Sequence, residues 1–390
     1  MITKRTLPKG WRWAKLGDVA EYLNGRAFKP KDWKTSGTPI IRIQNLNSEN
    51  AAFNYFDGDV EKRYIVENGD LLISWSASLD VFIWQRGTAI LNQHIFKATE
   101  NKEVIRRDYF FYAVKETMEE IRSQVHGATM KHITRPEFLA ITIPLPPLDE
   151  QKRIAARLDE QMRHIEQARQ AAAESLSAAW DLQPAYLNDI FNSQKAKNWS
   201  KIKLGKVCEV TARQVDPKIP EYGALPHVNG ENIESGTGKL LHLNTAAEDG
   251  MTSGKYLFEA GDVLYSKLRP YLRKVFLPDF RGVCSADMYP IKVNHEKLQS
   301  QFLVWLLISD GFTKYADEES RRARMPKLNR EQLFAFEAPL PSLEQQKQIS
   351  KMLDQKISEC NQLQQSLESQ LAEINELPSA LLRQAFAGEL

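Results

Sequence analysis

Residues 144–159 read PLPPLDEQKRIAARLD, and residues 339–354 read PLPSLEQQKQISKMLD. Nine of the sixteen aligned positions are identical, and the offset of 195 residues is half of the 390-residue chain. Similarity at a fixed separation indicates an internal duplication, so we expect two copies of one structural unit.

The duplication extends well beyond this segment. WRWAKLGDVAE at 11–21 matches WSKIKLGKVCE at 199–209, and YIVENGDLLIS at 64–74 matches YLFEAGDVLYS at 256–266. The order of the matched segments is the same in both halves, while their offset drifts from 188 to 192 to 195 residues. We therefore expect two related modules that differ in the lengths of their loops.

Each module combines short β-rich segments with one predicted helix. The predicted strands are 40–46, 70–77, 81–85 and 89–98 in the first half, and the segments GDVLYSKL, KVFLPDF and DMYPIKV in the second. The predicted helices are RRDYFFYAVKETMEEIRSQV and LQSQFLVWLLISDGFTKYA. These elements predict an α+β fold with two pseudo-repeated mixed α/β modules.

A long helix is predicted after each proline-rich segment. Prolines fix an extended entry, and no Pro or Gly interrupts residues 149–183 or 342–377. The second copy has apolar residues at a coiled-coil spacing, including Cys360, Leu363 and Leu367, and the first has Ile154 and Leu158. We expect an intramolecular antiparallel coiled coil; a coiled coil that forms a homodimer is the alternative.

The predicted domains are 1–146 and 197–341 for the two modules, and 147–196 and 342–390 for the two helical regions. Net charge alternates along the chain: +4 for 1–147, −2 for 148–195, +3 for 196–341 and −3 for 342–390. Two mildly basic modules favour a polyanionic partner.

Composition argues for a cytoplasmic protein. No run of 18 uncharged apolar residues is present, and the N-terminal MITKRTLPKGWRW lacks the apolar core of a signal peptide. The three cysteines, Cys208, Cys284 and Cys360, are far apart, which fits a reducing compartment and excludes a CxxC metal site.

Catalytic motifs are missing from the sequence. GTGKL at 236–240 lacks the first glycine and the final Ser/Thr of a phosphate-binding loop, and His295-Glu296 lacks the second histidine of a zincin motif. Neither an Asn/Asp-Pro-Pro-aromatic tetrapeptide nor a GxSxG elbow occurs, and the seven histidines show no ligand spacing. We therefore expect a chain without catalysis, metal or cofactor.

Two similar basic modules held apart by paired helices suit a split target on duplex DNA. Paired readers on DNA must keep a separation related to the groove repeat of about 34–36 Å. Two non-identical modules predict two different half-sequences separated by a non-specific gap.

The chain resembles the specificity subunits of type I restriction–modification systems. The resemblance covers nearly the whole chain and is carried by LPKGWRWAKLGDVA, GDLLIS/GDVLYS, SKLRPYLRKV and the duplicated PLPPLDEQKRIAARLD/PLPSLEQQKQISKMLD. It implies two DNA target recognition domains, two helical regions that dock two modification subunits, and an association with motor–nuclease restriction subunits. It also implies that adenine methylation and cleavage, with S-adenosylmethionine, ATP and Mg, belong to those partners.

The same resemblance associates the SKLRP segment with DNA contact, which here is Ser266, Lys267, Leu268, Arg269 and Pro270. The first module departs from it with SWSAS at 74–78. The two modules should therefore differ in base preference.

Cationic and amide side chains near strand ends and loops are the candidates for DNA contact, because they can bond base edges and phosphates. In the first module they are Arg26, Lys29, Arg42, Gln44, Asn45, Ser76 and Lys131. In the second they are Arg213, Asn229, Asn232, Ser266, Lys267, Arg269, Arg273, Arg321, Arg322, Arg324 and Lys327. The candidates for docking a partner subunit are Gln151, Lys152, Gln346 and Lys347, polar residues that recur in both copies.

Two other functions are compatible with the residues alone. One is a coiled-coil scaffold whose modules bind protein, which a lack of salt-dependent DNA binding would favour. The other is a self-sufficient methyltransferase, which methyl transfer by the isolated chain would reveal.

Overall fold

The computed structural model describes residues 6–75, 79–124, 134–211, 213–320 and 326–390. The chain divides into two compact units, Met1–Ala173 with Ser369–Leu390, and Glu174–Glu368. Both unit boundaries fall inside the two long helices that the sequence predicts.

The strands are β1 (Arg12–Lys15), β2 (Ala20–Asn24), β3 (Thr38–Ile41), β4 (Asn54–Phe56), β5 (Ile65–Val66), β6 (Leu71–Ser74), β7 (Asp80–Ile83), β8 (Ala89–Leu91), β9 (Ile95–Glu100), β10 (Thr142–Leu145), β11 (Ser200–Lys203), β12 (Cys208–Val210), β13 (Gln214–Val215), β14 (Pro226–Val228), β15 (Asn244–Thr245), β16 (Lys255–Phe258), β17 (Val263–Ser266), β18 (Val275–Phe276), β19 (Gly282–Cys284), β20 (Met288–Val293) and β21 (Glu337–Leu340). The helices are α1 (Leu16–Val19), α2 (Ile43–Asn47), α3 (Arg107–Gln124), α4 (Arg135–Ala140), α5 (Leu148–Phe191), α6 (Gln194–Lys197), α7 (Pro220–Gly223), α8 (Ser300–Ile308), α9 (Asp310–Ser320), α10 (Arg330–Ala335) and α11 (Leu343–Ala387).

The sheets confirm the duplication that the sequence predicts. The first unit has sheets ordered β1-β10, β2-β9-β6-β7 and β4-β3-β8-β5. The second has β11-β21, β12-β20-β17-β18 and β13-β16-β19-β14-β15, the last with an extra edge strand. The parallel pair β3/β8 recurs as β14/β19. Each unit is therefore the same mixed α/β module.

Each module shares its hydrophobic core with the long helices. In the first unit, Phe110 and Phe138 of the module cluster with Leu158 of α5 and Phe386 of α11. In the second unit, Phe302 and Phe312 cluster with Leu187 of α5 and Leu353 of α11. Apolar burial of this extent fixes the modules on the helices.

Three predicted elements differ from the structure. The predicted strand 40–46 ends at Ile41, and α2 follows because the side chain of Asn45 accepts a hydrogen bond from the backbone N–H of Arg42 and caps the turn. The predicted strand 89–98 is two strands, β8 and β9, separated by a turn. The predicted helix at 298–316 is divided by Ser309, which has an extended backbone and whose hydroxyl donates to the carbonyl of Leu306 at 2.7 Å.

The long helices α5 and α11 pack together and run antiparallel. In the first unit, the guanidinium of Arg153, early in α5, donates to the backbone carbonyl of Leu390 at 2.6 Å. In the second unit, the side chain of Gln364 donates to the carbonyl of Ala179 at 3.0 Å. From Arg153 to Ala179 along α5, the contacted residues run backwards from Leu390 to Gln364, as the predicted antiparallel intramolecular coiled coil requires.

One stretch of the predicted seam is wrong. Leu363 is 45% exposed, whereas its neighbour Gln364 is 6% exposed and makes the contact with α5. The buried and half-buried positions continue from Cys360 through Gln364 and Leu367 at spacings of four and three. The heptad geometry of paired helices therefore overrides the apolar character of Leu363.

Candidate nucleic-acid interface

In the first unit, two predicted arginines lie on one face of strand β4. The guanidinium of Arg26 lies 4.5 Å from the ring centre of Phe56, and that of Arg42 donates to the Oδ1 of Asn54 at 3.1 Å. Asn54 and Phe56 are two residues apart on a strand, so their side chains project to the same side. Both cations are therefore presented on one surface.

Aromatic rings support these two cations. Arg42 lies 5.0 Å from the ring centre of Trp33, and Arg26 lies 5.3 Å from that of Phe28. A guanidinium has five N–H donors, so a ring contact and one hydrogen bond leave donors for a base edge. We call Arg26, Phe28, Trp33, Arg42, Asn54 and Phe56 the β4 surface. Because neighbouring rings and Asn54 hold its two arginines in place, these arginines are suited to bidentate contact with guanine O6 and N7.

The other candidates of the first module divide between the surface and the interior. Lys29 and Gln44 are exposed. Asn45 is 2% exposed, and its amide donates to the carbonyls of Ala51 and Ala52, both at 3.1 Å. The structure thus contradicts the predicted DNA contact of Asn45, because its buried side chain forms hydrogen bonds with backbone groups around α2.

In the second unit, the loop between β17 and β18 has a strained backbone. Arg269 and Arg273 have φ angles of 50° and 48°, and they are the only non-glycine residues with positive φ in the part of the chain that the structure describes. Left-handed geometry costs an L-residue roughly 1–2 kcal/mol. Such strain persists where surrounding contacts enforce it, and it is concentrated at functional sites. We call residues 266–275 the arginine loop.

Two cations of the arginine loop, Lys267 and Arg273, make contacts that hold the loop against the rest of the module. Lys267 is 9% exposed and donates to the carbonyl of Ala286, and desolvation lowers the pKa of its ammonium. Arg273 forms an ion pair with Asp310 at 2.6 Å and donates to the carbonyl of Ile308 at 3.2 Å. Burial contradicts the predicted DNA contact of Lys267. Arg273 is half-buried and stabilises the loop through Asp310, and its DNA contact stays a prediction.

Arg269 remains on the surface of this loop. Its side chain is exposed, while its backbone N–H donates to the carbonyl of Pro326 at 2.9 Å. The loop therefore presents Arg269 from a fixed backbone, the arrangement that a base-reading arginine needs.

A cavity of about 470 Å³ lies beside the arginine loop and brings together three predicted residues, Asn229, Ser266 and Arg269. Lys255 and Lys274 also line it and were not predicted. Lys274 donates to the carbonyl of Gly230, and Lys255 to Ser253 at 2.9 Å. Only the cluster of cations around SKLRPYLRK could have suggested Lys274 from the sequence.

The remaining candidates of the second module lie apart from this cavity lining. Asn232 is 2% exposed and bonded to His242 and to the backbone N–H of Asn229, so its predicted DNA contact is contradicted. Arg213 and Lys327 are exposed. Ser76, Lys131, Arg321, Arg322 and Arg324 lie outside the described residues.

The two repeated glutamines have identical internal roles. The Gln151 amide donates to the carbonyls of Val104 at 3.1 Å and Pro146 at 2.9 Å, and its oxygen accepts from the N–H of Arg106 at 2.8 Å. Gln346 repeats this with Lys297 and Pro341, both at 3.0 Å, and with the N–H of Gln299 at 3.0 Å.

Both glutamines are fully buried, so the structure contradicts their predicted role in docking a partner. Each one joins its module to the first turn of a long helix. Lys152 and Lys347 are exposed beside them, and for these lysines docking stays a prediction.

The repeated aspartates of the same motif make a second hydrogen-bonded contact between each module and its long helix. Asp159 accepts a hydrogen bond from the hydroxyl of Tyr112 at 2.6 Å, and Asp354 accepts one from the indole of Trp305 at 2.9 Å. Burial raises the pKa of Asp354. The motif therefore recurs because each module is fastened to its helix in the same way.

The described residues contain no group of three His, Cys, Asp or Glu side chains placed to hold a metal ion. None of the helices described combines the length and apolar character of a bilayer span.

A family model described as "Type I restriction modification DNA specificity domain" matches residues 8–175 and, a second time, residues 196–373. The chain belongs to the type I restriction–modification DNA specificity family. Each match starts before β1 or β11 and ends inside a long helix. The unit of the specificity family therefore includes the joint between module and helix.

Curated relatives and solved structures are similar to this chain over most of its length. The EcoDI specificity subunit of Escherichia coli is 28% identical and covers 93% of this chain and 89% of its own length. The MjaVIII specificity subunit of Methanocaldococcus jannaschii is 24% identical, and the alignment covers 89% of this chain and 86% of that subunit. The crystal structure of the HsdS subunit of Thermoanaerobacter tengcongensis has a TM-score of 0.62 at 20% identity, and the alignment covers 100% of this chain and 99% of that subunit.

A second solved structure, described as the structural basis of complex assembly and conformational transition of the type I R-M system, contains a chain with a TM-score of 0.77 at 20% identity. The alignment covers 99% of this chain and 100% of that chain. At this identity, the two structural likenesses show that the specificity protein has this fold.

Proposed function

We propose that this specificity protein recognises a bipartite, asymmetric sequence in duplex DNA, with one half-site for each unit. The observation that carries the proposal is the duplicated specificity domain, which presents a different arginine surface in each copy. In the first unit, the β4 surface offers Arg26 and Arg42. In the second unit, the arginine loop offers Arg269. The comparisons give no support to the alternative of a scaffold without DNA specificity.

The two half-sites should differ in sequence. The loop between β17 and β18 spans 267–274, whereas the sequence between β6 and β7, WSASL at 75–79, has no arginine or lysine. The corresponding loops therefore offer different donors to a base edge. Because direct readout depends on such donors, unlike loops support unlike half-sequences.

Catalysis belongs, in this proposal, to partner subunits. The chain would position two modification subunits that methylate adenine and, through them, restriction subunits that cleave DNA. S-adenosylmethionine, ATP and Mg would bind those partners. The exposed Lys152 and Lys347, at equivalent places on α5 and α11, are the proposed docking residues.

The test is selection of bound duplexes from a random library by the full-length chain, alone and with its modification subunits. We expect two short half-sequences separated by a fixed gap, and log-linear weakening of binding as salt rises. Selection of no sequence, or binding that is independent of salt, would refute the proposal. Methyl transfer by the isolated chain would instead favour a self-sufficient methyltransferase.

Two variants assign the half-sites. Arg42→Ala should relax one half-sequence and Arg269→Ala the other, each by about 1–3 kcal/mol if the arginine reads a base. The two variants serve as controls for each other, because each should leave the half-sequence read by the other unit unchanged. Relaxation of the same half-sequence by both variants would contradict the assignment of one half-site to each unit.

A further inference from the structure

The tip of the arginine loop carries a large side chain that its packing does not use. Tyr271 is 50% exposed, whereas the preceding Pro270 is buried. Both lie in the short 3-10 turn Pro270–Leu272, which the left-handed Arg269 and Arg273 flank on either side. The turn thus leaves about half of one aromatic side chain, that of Tyr271, exposed to solvent.

The backbone that carries this ring is held at both ends. Before the turn, the backbone N–H of Lys267 donates to the carbonyl of Asp287 at 3.0 Å, and that of Arg269 donates to Pro326 at 2.9 Å. After the turn, the ion pair between Arg273 and Asp310 fixes its far end. The backbone under the ring is therefore already ordered, so a contact made by Tyr271 costs little backbone entropy.

The chemical surroundings of Tyr271 point to nucleic acid. The segment SKLRPYLRKV has four cations and no acidic residue. Arg269 on one side is exposed and lines the cavity next to the loop. Lys267 is buried and Arg273 is paired with Asp310, so Arg269 is the exposed cation beside the ring. Such a cation can attract the phosphate backbone while a neighbouring apolar ring contacts a base edge in a groove.

We propose that Tyr271 is a DNA-contacting residue of the second unit, and that its ring packs against base edges of the half-site beside Arg269. The inference rests on the proposed function, because it names a further reading residue of the same interface. The apolar ring is the active part, through contact with a thymine methyl group or wedging at a base step. The hydroxyl is not required.

The experiment measures affinity of the full-length chain for its selected duplex and for duplexes altered in each half-site. Tyr271→Ala should weaken binding to the selected duplex about tenfold, as expected when one buried apolar contact is lost, and should reduce discrimination at one half-site only. Tyr271→Phe should bind and discriminate like the original chain. Melting temperature should be unchanged in both variants, since the ring is exposed.

Ile219→Ala is the matched control, because Ile219 is 47% exposed in the same unit but lies outside the arginine loop. Unchanged binding by Tyr271→Ala, or equal losses in Tyr271→Ala and Ile219→Ala, would overturn the proposal. Equal losses in Tyr271→Ala and Tyr271→Phe would also overturn it, because they would assign the contact to the hydroxyl. If the original chain selects no sequence, the proposed function itself fails, which is a distinct result.

Discussion

The buried Gln346 gives the sharpest test of how the recognition modules are fastened. Its side chain makes hydrogen bonds with three backbone groups, those of Lys297, Gln299 and Pro341, each at 3.0 Å. At about 1 kcal/mol of net stability for each bond, Gln346→Ala should lower the free energy of unfolding by at least about 3 kcal/mol. Backbone groups left buried and unpaired would increase the loss.

The assay is thermal unfolding of the full-length chain. For a unit the size of Glu174–Glu368, a loss of about 3 kcal/mol corresponds to a fall in the melting temperature of roughly 6–12 °C. Lys347→Ala, an exposed change in the same helical turn, is the control. Equal melting temperatures for the two variants would refute the internal role of the glutamine.

Gln346→Glu adds a pH dependence with a defined sign. A carboxylate can still accept from the N–H of Gln299, but it faces the carbonyl oxygens of Lys297 and Pro341. Only the protonated form can donate to a carbonyl, so the folded pKa of this Glu should lie above its unfolded value of about 4.3. The variant should approach the original stability at low pH and lose it as pH rises through the folded pKa.

Three further predictions concern the helices and the thiols. Gln364→Leu should raise the free energy of unfolding by on the order of 1 kcal/mol, measured in urea, because a buried polar group leaves the seam while the carbonyl of Ala179 keeps its helical partner; a fall would contradict this. Asp354→Asn should gain stability relative to the original chain between pH 4 and pH 7, followed by melting temperature. Burial raises the folded pKa of Asp354, so the contribution of the carboxyl is full at low pH and lost as pH rises; a constant difference would argue against it. Burial raises the pKa of Cys208 to about 12, so this thiol should resist a disulfide reagent at pH 8 until urea is added.

The sequence predicted the fold closely where apolar spacing was the signal. The duplicated segments, the two long helices and their antiparallel pairing all follow from the spacing of apolar residues and from the internal repeat. The spacing failed at Leu363, where an exposed leucine stands beside the buried Gln364. Both residues fit a three-four pattern, and only contact with the other helix decides which one faces inward.

The candidate interface was less predictable. Residue type pointed to Arg42 and Arg269, for which DNA contact stays a prediction; the structure places Arg42 beside Trp33 and Arg269 on a backbone held by Pro326. It could not separate them from Lys267 and Arg273, whose partners are carbonyls and a carboxylate about 20–40 positions away. Residue type alone does not distinguish an arginine or lysine that contacts DNA from one that stabilises a loop.

The sequence by itself determined that the protein is a duplicated pair of modules on two long helices, because burial of apolar residues leaves a periodic record along the chain. Only the tertiary structure decided why Gln151 and Gln346 recur: each is satisfied by backbone groups of its own module, and hydrogen bonds to backbone groups leave no pattern in residue types. The same reason explains why tertiary contacts alone divide the arginine loop into anchors and an exposed tip.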